Sequence, residues 1–264
     1  MELNYSVFDP TGNITIIVES SVPVSMQPGA ARFLLRLEPE AEQVAFIMSS
    51  PAGSDIAIRM SGGEFCGNAT LCAAACAAIK AGIEDEAVIN VSVSGAENII
   101  PVSVKREGIN IFSGSVSMPS PLSITSAEFI CRGRSCSYPL VNFPGISHMI
   151  VADGGLDAES ASSIIPELCR NLGVEALGIM LYSHESGCLD PFVYVAEIDS
   201  LYHEHSCASG STAVAAYYSN NSGAPAEMSF TEPGGCLKVF SSAGSIRLYG
   251  SAALLYKRKT EYPD

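Results

Sequence analysis

Tryptophan is absent from this 264-residue chain, histidine occurs four times, and only 16% of residues are charged. Basic residues are scarce as well, 14 against 28 acidic, for a net charge of −14. So acidic a chain repels phosphate backbones and anionic bilayers, which excludes nucleic acid and membrane surfaces as expected partners. Long apolar runs are lacking too: the longest, Leu71–Ile79, has nine residues, whereas a spanning helix needs about 18 or more. The opening MELNYSVFDP has neither a basic nor an apolar leader region, so no signal peptide is expected and a cytoplasmic location is. Cofactor signatures are missing. There is no Gly-Lys phosphate loop, no Gly-x-Gly-x-x-Gly after a strand, no Gly-x-Ser-x-Gly elbow and no His-Glu-x-x-His helix. The five lysines fall in no evident cofactor motif, so no cofactor is expected.

What the chain does have is a 47% hydrophobic share, enough for a packed core, and nine cysteines. An odd number in a chain of this length reads as reduced thiols. Alternating or β-branched runs predict strands at Ile14–Val18, Val44–Met48, Ile89–Val93, Val102–Val104, Ile109–Phe112, Val193–Ile198, Leu237–Phe240 and Ile246–Leu248. Pro28–Leu37 and Ser160–Leu172 read as amphipathic surface helices. Asn68–Lys80 and Ser211–Tyr218 are small and apolar all round, the pattern of a helix buried on every side.

Those two buried helices open alike. Glu64-Phe65-Cys66-Gly67-Asn68-Ala69-Thr70 leads the first, and Ser206-Cys207-Ala208-Ser209-Gly210-Ser211 the second. Setting Cys66 on Cys207 pairs Thr70 with Ser211, Ala74 with Ala215 and Ala75 with Ala216. Strand-like segments starting at Gly95 and Gly234 follow at nearly the same offset. The chain therefore reads as an internal duplication. The expected fold is α+β with two pseudo-symmetric lobes, each a mostly antiparallel sheet wrapped round one apolar helix. The expected lobes are 1–118 and 119–251, with 252–264 returning to the first.

A thiol at a helix N-terminus meets unpaired N–H groups and the positive end of the macrodipole, which favour thiolate. The same N–H groups hold carboxylates. Two such helices facing one another would hold an amino-acid carboxylate with one sulfur on each side of its α-carbon. That is an arrangement for two-base racemisation.

The two cysteine motifs resemble those of the diaminopimelate epimerase family of cofactor-independent amino-acid racemases, and the likeness runs along the whole chain. The resemblance implies Cys66 and Cys207 as the acid/base pair, with His148 assisting the first and Glu197 near the second. It implies a carboxylate cradle from Gly67, Asn68, Ala208, Ser209 and Gly210, and substrate contacts from Asn13, Gln43 and Arg59. It also implies a small amino-acid substrate and is compatible with a homodimer. The family's distal arginine and two of its asparagines are replaced, by Ile198, Ile146 and the Leu177–Met180 segment. An apolar residue cannot pair with a second carboxylate, so diaminopimelate is not the expected substrate. Similar racemases that act on histidine share this pattern, with Glu64, Tyr202 or His205 available to an imidazole. Two alternatives stay open: an isomerase of a cyclic imino acid, and a ligand- or zinc-binding module built on His203-Glu204-His205-Ser206-Cys207. No metal site is expected.

Overall fold

A helix without a polar face has to be covered on every side, and the sheets of this protein are arranged round two such helices. The computed structural model describes residues 1–263, apart from the side chain of Ile198. The chain divides into two units, Met1–Ser117 with Tyr249–Asp264, and Met118–Leu248. Among the described residues no helix is long and apolar enough to cross a membrane.

The first unit runs β1 (Glu2–Asp9), β2 (Thr15–Val18), α1 (Gln27–Leu37), β3 (Gln43–Met48), β4 (Ile56–Met60), α2 (Gly67–Lys80), β5 (Glu86–Val93), β6 (Ile100–Gly108) and β7 (Ile111–Met118). These strands lie side by side in chain order. Pairing is antiparallel except β2–β3 and β4–β5. A helix bridges each of those two parallel pairs, because parallel neighbours cannot be joined by a tight turn. Helix α2 packs against β2, β4, β5 and β6, and Leu71 to Cys76 along it are all buried. Alanine suits this place twice: it has the highest helix propensity and lets strands approach closely.

The second unit repeats that plan with an added strand in each of its first two blocks. It runs β8 (Ser123–Cys131), β9 (Arg134–Phe143), β10 (Ile146–Ala152), α3 (Ala158–Leu172), β11 (Ala176–Tyr182), β12 (Leu189–Val195), β13 (Ser200–His203), α4 (Ala208–Ser222), β14 (Ala226–Glu232) and β15 (Gly235–Ser242). The last strand, β16 (Ser245–Glu261), begins in this unit and ends in the first, where it pairs with β1. Strands β8 to β13 form one six-stranded sheet, in which β10–β11 is the parallel pair and α3 its bridge. Helix α3 is capped by Asp157, whose carboxylate accepts the Ser160 N–H, and closed by Gly173 in the left-handed region. Its Ile165, Leu168 and Cys169 join Met149, Leu177, Ile179 and Phe192 in one core cluster. Helix α4 packs against β14 and β15 and against β9, β10 and β11.

Two expected strands end differently. Asn110 adopts a left-handed conformation in the β6–β7 turn, so the run Ile109–Phe112 is half hairpin turn, and Ile109 is exposed. The run Val193–Ile198 leaves the sheet after Val195 and finishes as a 3-10 turn over Ala196–Ile198. Asp199, also left-handed, closes that turn by accepting the Tyr194 hydroxyl at 2.6 Å.

Helix α2 can lie against its sheet only because β7 offers a glycine. A Cβ at Gly114 would stand 2.6 Å from Leu71 Cδ1 and 2.7 Å from the Ser103 carbonyl oxygen. Gly114→Ala is therefore expected to lower the unfolding free energy by about 1–3 kcal/mol. Urea denaturation checks this, with a lower midpoint at an unchanged m-value.

Candidate active site

In the first unit, Cys66 is the N-cap of α2. Its backbone is extended and its sulfur accepts the Ala69 N–H at 3.4 Å. The Cys66 thiol donates to Gln43 Oε1 at 2.8 Å, from the first residue of β3. The next two N–H groups, of Gly67 and Asn68, belong to the first helical turn, where the helix offers no acceptor. Asn13 is fully buried beside this strand. Its amide donates to Glu42 at 2.6 Å while its Oδ1 has no partner among the described residues. Arg59 donates to Gln27 on α1 at 3.0 Å and to the Met60 carbonyl at 3.2 Å. Its guanidinium is thus tied into the scaffold of β4 and α1.

In the second unit, Cys207 is the N-cap of α4 and is buried. It has no side-chain cap bond. Instead its own N–H donates to the Glu232 carboxylate, which also accepts the Ser211 hydroxyl. The Cys207 sulfur lies 3.7 Å from Ser209 Oγ, which in turn lies 2.9 Å from His148 Nε2. Ala208 and Gly210 complete the first turn and are buried.

The electrostatics depart from what a helix N-terminus alone dictates. Burial pushes the Cys207 thiol well above its ordinary value, and the carboxylates of Glu204 and Glu232 push it further, against a downward contribution from Ser209. Cys207 therefore rests as a thiol, because desolvation and two acidic neighbours outweigh the macrodipole. Burial also pushes Glu232 up to about 8, in spite of the two donors it accepts. His148, fully buried on β10, is driven down to about 3 and stays neutral.

His148 is the residue expected to assist the first cysteine. Its described hydrogen bond is to Ser209, one step from Cys207, and burial denies it the charge a base would have to carry. Glu197 was expected near the second cysteine on a strand. It is exposed on the 3-10 turn after β12, and the carboxylates that act on Cys207 are Glu204 and Glu232. His203, part of the zinc alternative, pairs with Asp190 and stacks on Phe192. Sequence reading missed Glu232. The available signal was its phase: along β14, Phe230 and Glu232 both point inward while Ser229 and Thr231 are exposed, so an acid falls on the buried face.

The burial of Glu232 fixes the sign of a pH effect. Its folded value near 8 lies above the ordinary 4.5, so its contribution is complete below 4.5 and is lost as pH rises to 8. His148, lowered from 6.5 to about 3, contributes fully above 6.5 and loses that contribution as pH falls. Of these two, only Glu232 acts between pH 6.5 and 8. Glu232→Gln should remove a stability loss of up to about 2 kcal/mol across that window. Thermal melts at the two pH values test this: the wild type should fall more from the lower to the higher pH than the variant.

A family model described as the histidine racemase CntK N-terminal domain matches residues 2–250. A histidine racemase of Fusobacterium nucleatum subsp. nucleatum is 29% identical over 222 residues, covering 81% of this chain and 80% of that protein. A histidine racemase of Staphylococcus aureus is 26% identical over 247 residues, covering 90% and 88%. Among solved structures, a predicted epimerase from Pseudomonas aeruginosa superposes with a TM-score of 0.69 at 15% identity, covering 99% of this chain and all of that one. A probable proline racemase from Agrobacterium radiobacter gives 0.70 at 14%, covering 99% and 93%.

Proposed function

The chain belongs to the histidine racemase family, and on that premise we propose that it inverts the α-carbon of histidine by a two-base mechanism with Cys66 and Cys207 as acid and base. The observation that carries this reading is the repeated placement of a cysteine as N-cap of each buried helix. Family membership makes the protein an isomerase. Its fold is the α+β, two-sheet architecture of racemases and epimerases.

In the proposed reaction the substrate carboxylate is bound at helix N-termini. The N–H groups of Gly67 and Asn68 and of Ala208, Ser209 and Gly210 hold it there. The Cys66 thiolate takes the α-proton. The C–H bonding pair passes into the carboxylate as an enediolate, stabilised by those preorganised donors. Cys207, resting as a thiol, gives its proton to the opposite face and becomes the thiolate. The reverse reaction restores both groups. Neither step needs a cofactor, since the only bonds made and broken are to hydrogen.

Gln43 would keep the Cys66 sulfur in position. Asn13, with its unsatisfied Oδ1, and Arg59 are placed by this reading on the substrate side of the first unit. Histidine is favoured over diaminopimelate by the relatives named as histidine racemases and by the apolar Ile146 and Ile198 at positions where diaminopimelate enzymes have polar grips. A neutral imidazole needs no guanidinium partner.

Incubation with single L-amino acids in D2O under reductant, followed by proton NMR, tests the proposal. Loss of the α-proton signal is expected with histidine. Cys66→Ser and Cys207→Ser should each slow racemisation by about 10²–10⁴-fold. Racemisation at the wild-type rate in either variant would overturn the two-base reading, and exchange of another amino acid in place of histidine would overturn the substrate.

A further inference from the structure

Around Cys207 the charges oppose the state the reaction must create. When the thiol gives up its proton, a thiolate forms in a buried site with the Glu204 and Glu232 carboxylates close by. Burial and like charge both disfavour that anion. Of the groups described as acting on it, Ser209 alone favours it.

Ser209 does not act alone. Its Oγ lies 3.7 Å from the Cys207 sulfur on one side and 2.9 Å from His148 Nε2 on the other. His148 is wholly buried, and its Nδ1 has no partner among the described residues. A neutral imidazole carries one N–H, and that proton belongs on the nitrogen that faces an acceptor. The tautomer with its proton on Nε2 leaves no buried N–H without an acceptor; in it His148 donates through Nε2, the Ser209 oxygen accepts, and the hydroxyl hydrogen points away from the imidazole toward sulfur. Serine alone would have a freely turning hydroxyl. With its lone pair engaged by histidine, it has one useful direction.

We propose that His148 and Ser209 form a one-way donor chain, Nε2–H to Oγ and O–H to Sγ, that orients a hydrogen bond onto the Cys207 thiolate, with Ser209 and His148 as positioning residues. Local architecture supports this. In the parallel pairing of β10 with β11, His148 stands opposite Gly178, and a Cβ at that glycine would collide with His148 Nδ1. Strand β11 thus gives up a side chain to seat the ring. Phe143 meets the ring edge-on with centroids 6.2 Å apart, fixing its plane. The chain moves no proton: a ring held neutral by burial donates a hydrogen bond and takes nothing up. This inference deepens the proposed racemase reading by giving a role to the group that steadies its second cysteine.

The test reads Cys207 without turnover, so it is independent of whether histidine racemises. The reduced protein is treated with iodoacetamide at pH 8. Cleavage after Glu204 and Glu227 then isolates Cys207 for mass spectrometry, with Cys66 followed by fragmentation of its own peptide. Alkylation rate follows the thiolate fraction. Ser209→Ala should slow Cys207 labelling about tenfold, the equivalent of one pKa unit, with Cys66 unchanged. His148→Leu should slow it to a similar degree and add nothing in the Ser209→Ala background, since residues in one chain are not additive. Ser209→Thr and His148→Gln, which keep the donors, should stay close to wild type. A wild-type labelling rate in Ser209→Ala, additive losses in the double variant, or equal slowing at Cys66 would each overturn the donor chain. Should His148→Leu fail to fold, the Ser209→Ala and Ser209→Thr pair decides.

Discussion

The structure depends on the need to cover two helices that have no polar side. An exposed alanine-rich helix gains little from water and leaves its neighbours' apolar faces open, whereas a buried one lets strands close in on several sides. In the first unit that requirement explains the close approach of β7 at Gly114 and the contacts of β2, β4, β5 and β6 with α2. In the second it explains why α4 meets strands on both sides, β14 and β15 as well as β9 to β11. Burial leaves only the helix ends for chemistry. The N-terminal end of each is where a cysteine stands and where the helix itself offers the first N–H groups no acceptor.

Duplication made the two ends alike, and their surroundings have since diverged. Cys66 is half-buried and bonded to the amide side chain of Gln43. Cys207 is buried, with carboxylates on its N–H and near its sulfur and a serine backed by a neutral histidine. A two-base enzyme working on both mirror forms needs one group ready to accept a proton and one ready to give it. Under the proposed mechanism, unequal surroundings for equivalent residues would provide that without any further device. The carboxylate of Glu232 is the clearest departure from symmetry, since position 91, its counterpart at the Cys66–Cys207 offset, is Val91.

Much of this was legible from residue types. The four helices were readable because their periodicity or lack of polar face spans eight or more residues, and such long patterns outweigh local noise. The cysteine pair was legible because repetition singled it out from seven other thiols. Strands β1, β4, β8, β9, β10, β11, β13 and β14 were not; in β8, β9 and β13 the alternation is diluted by serine, arginine and exposed apolar residues such as Ile130 and Leu201. Glu197 was misplaced for a related reason. Hydropathy continues past Val195 while the backbone turns, and that turn depends on a contact between Tyr194 and Asp199.

The amino-acid order by itself determined the class of fold, the duplication and the two thiols at helix N-termini, since helix burial and capping are written in short-range patterns. Only the tertiary structure decided which state Cys207 favours and which residues attend each thiol. His148 comes to Ser209 across 61 residues and Glu232 to Cys207 across 25. A pKa depends on what is buried beside a group rather than on what adjoins it in the chain.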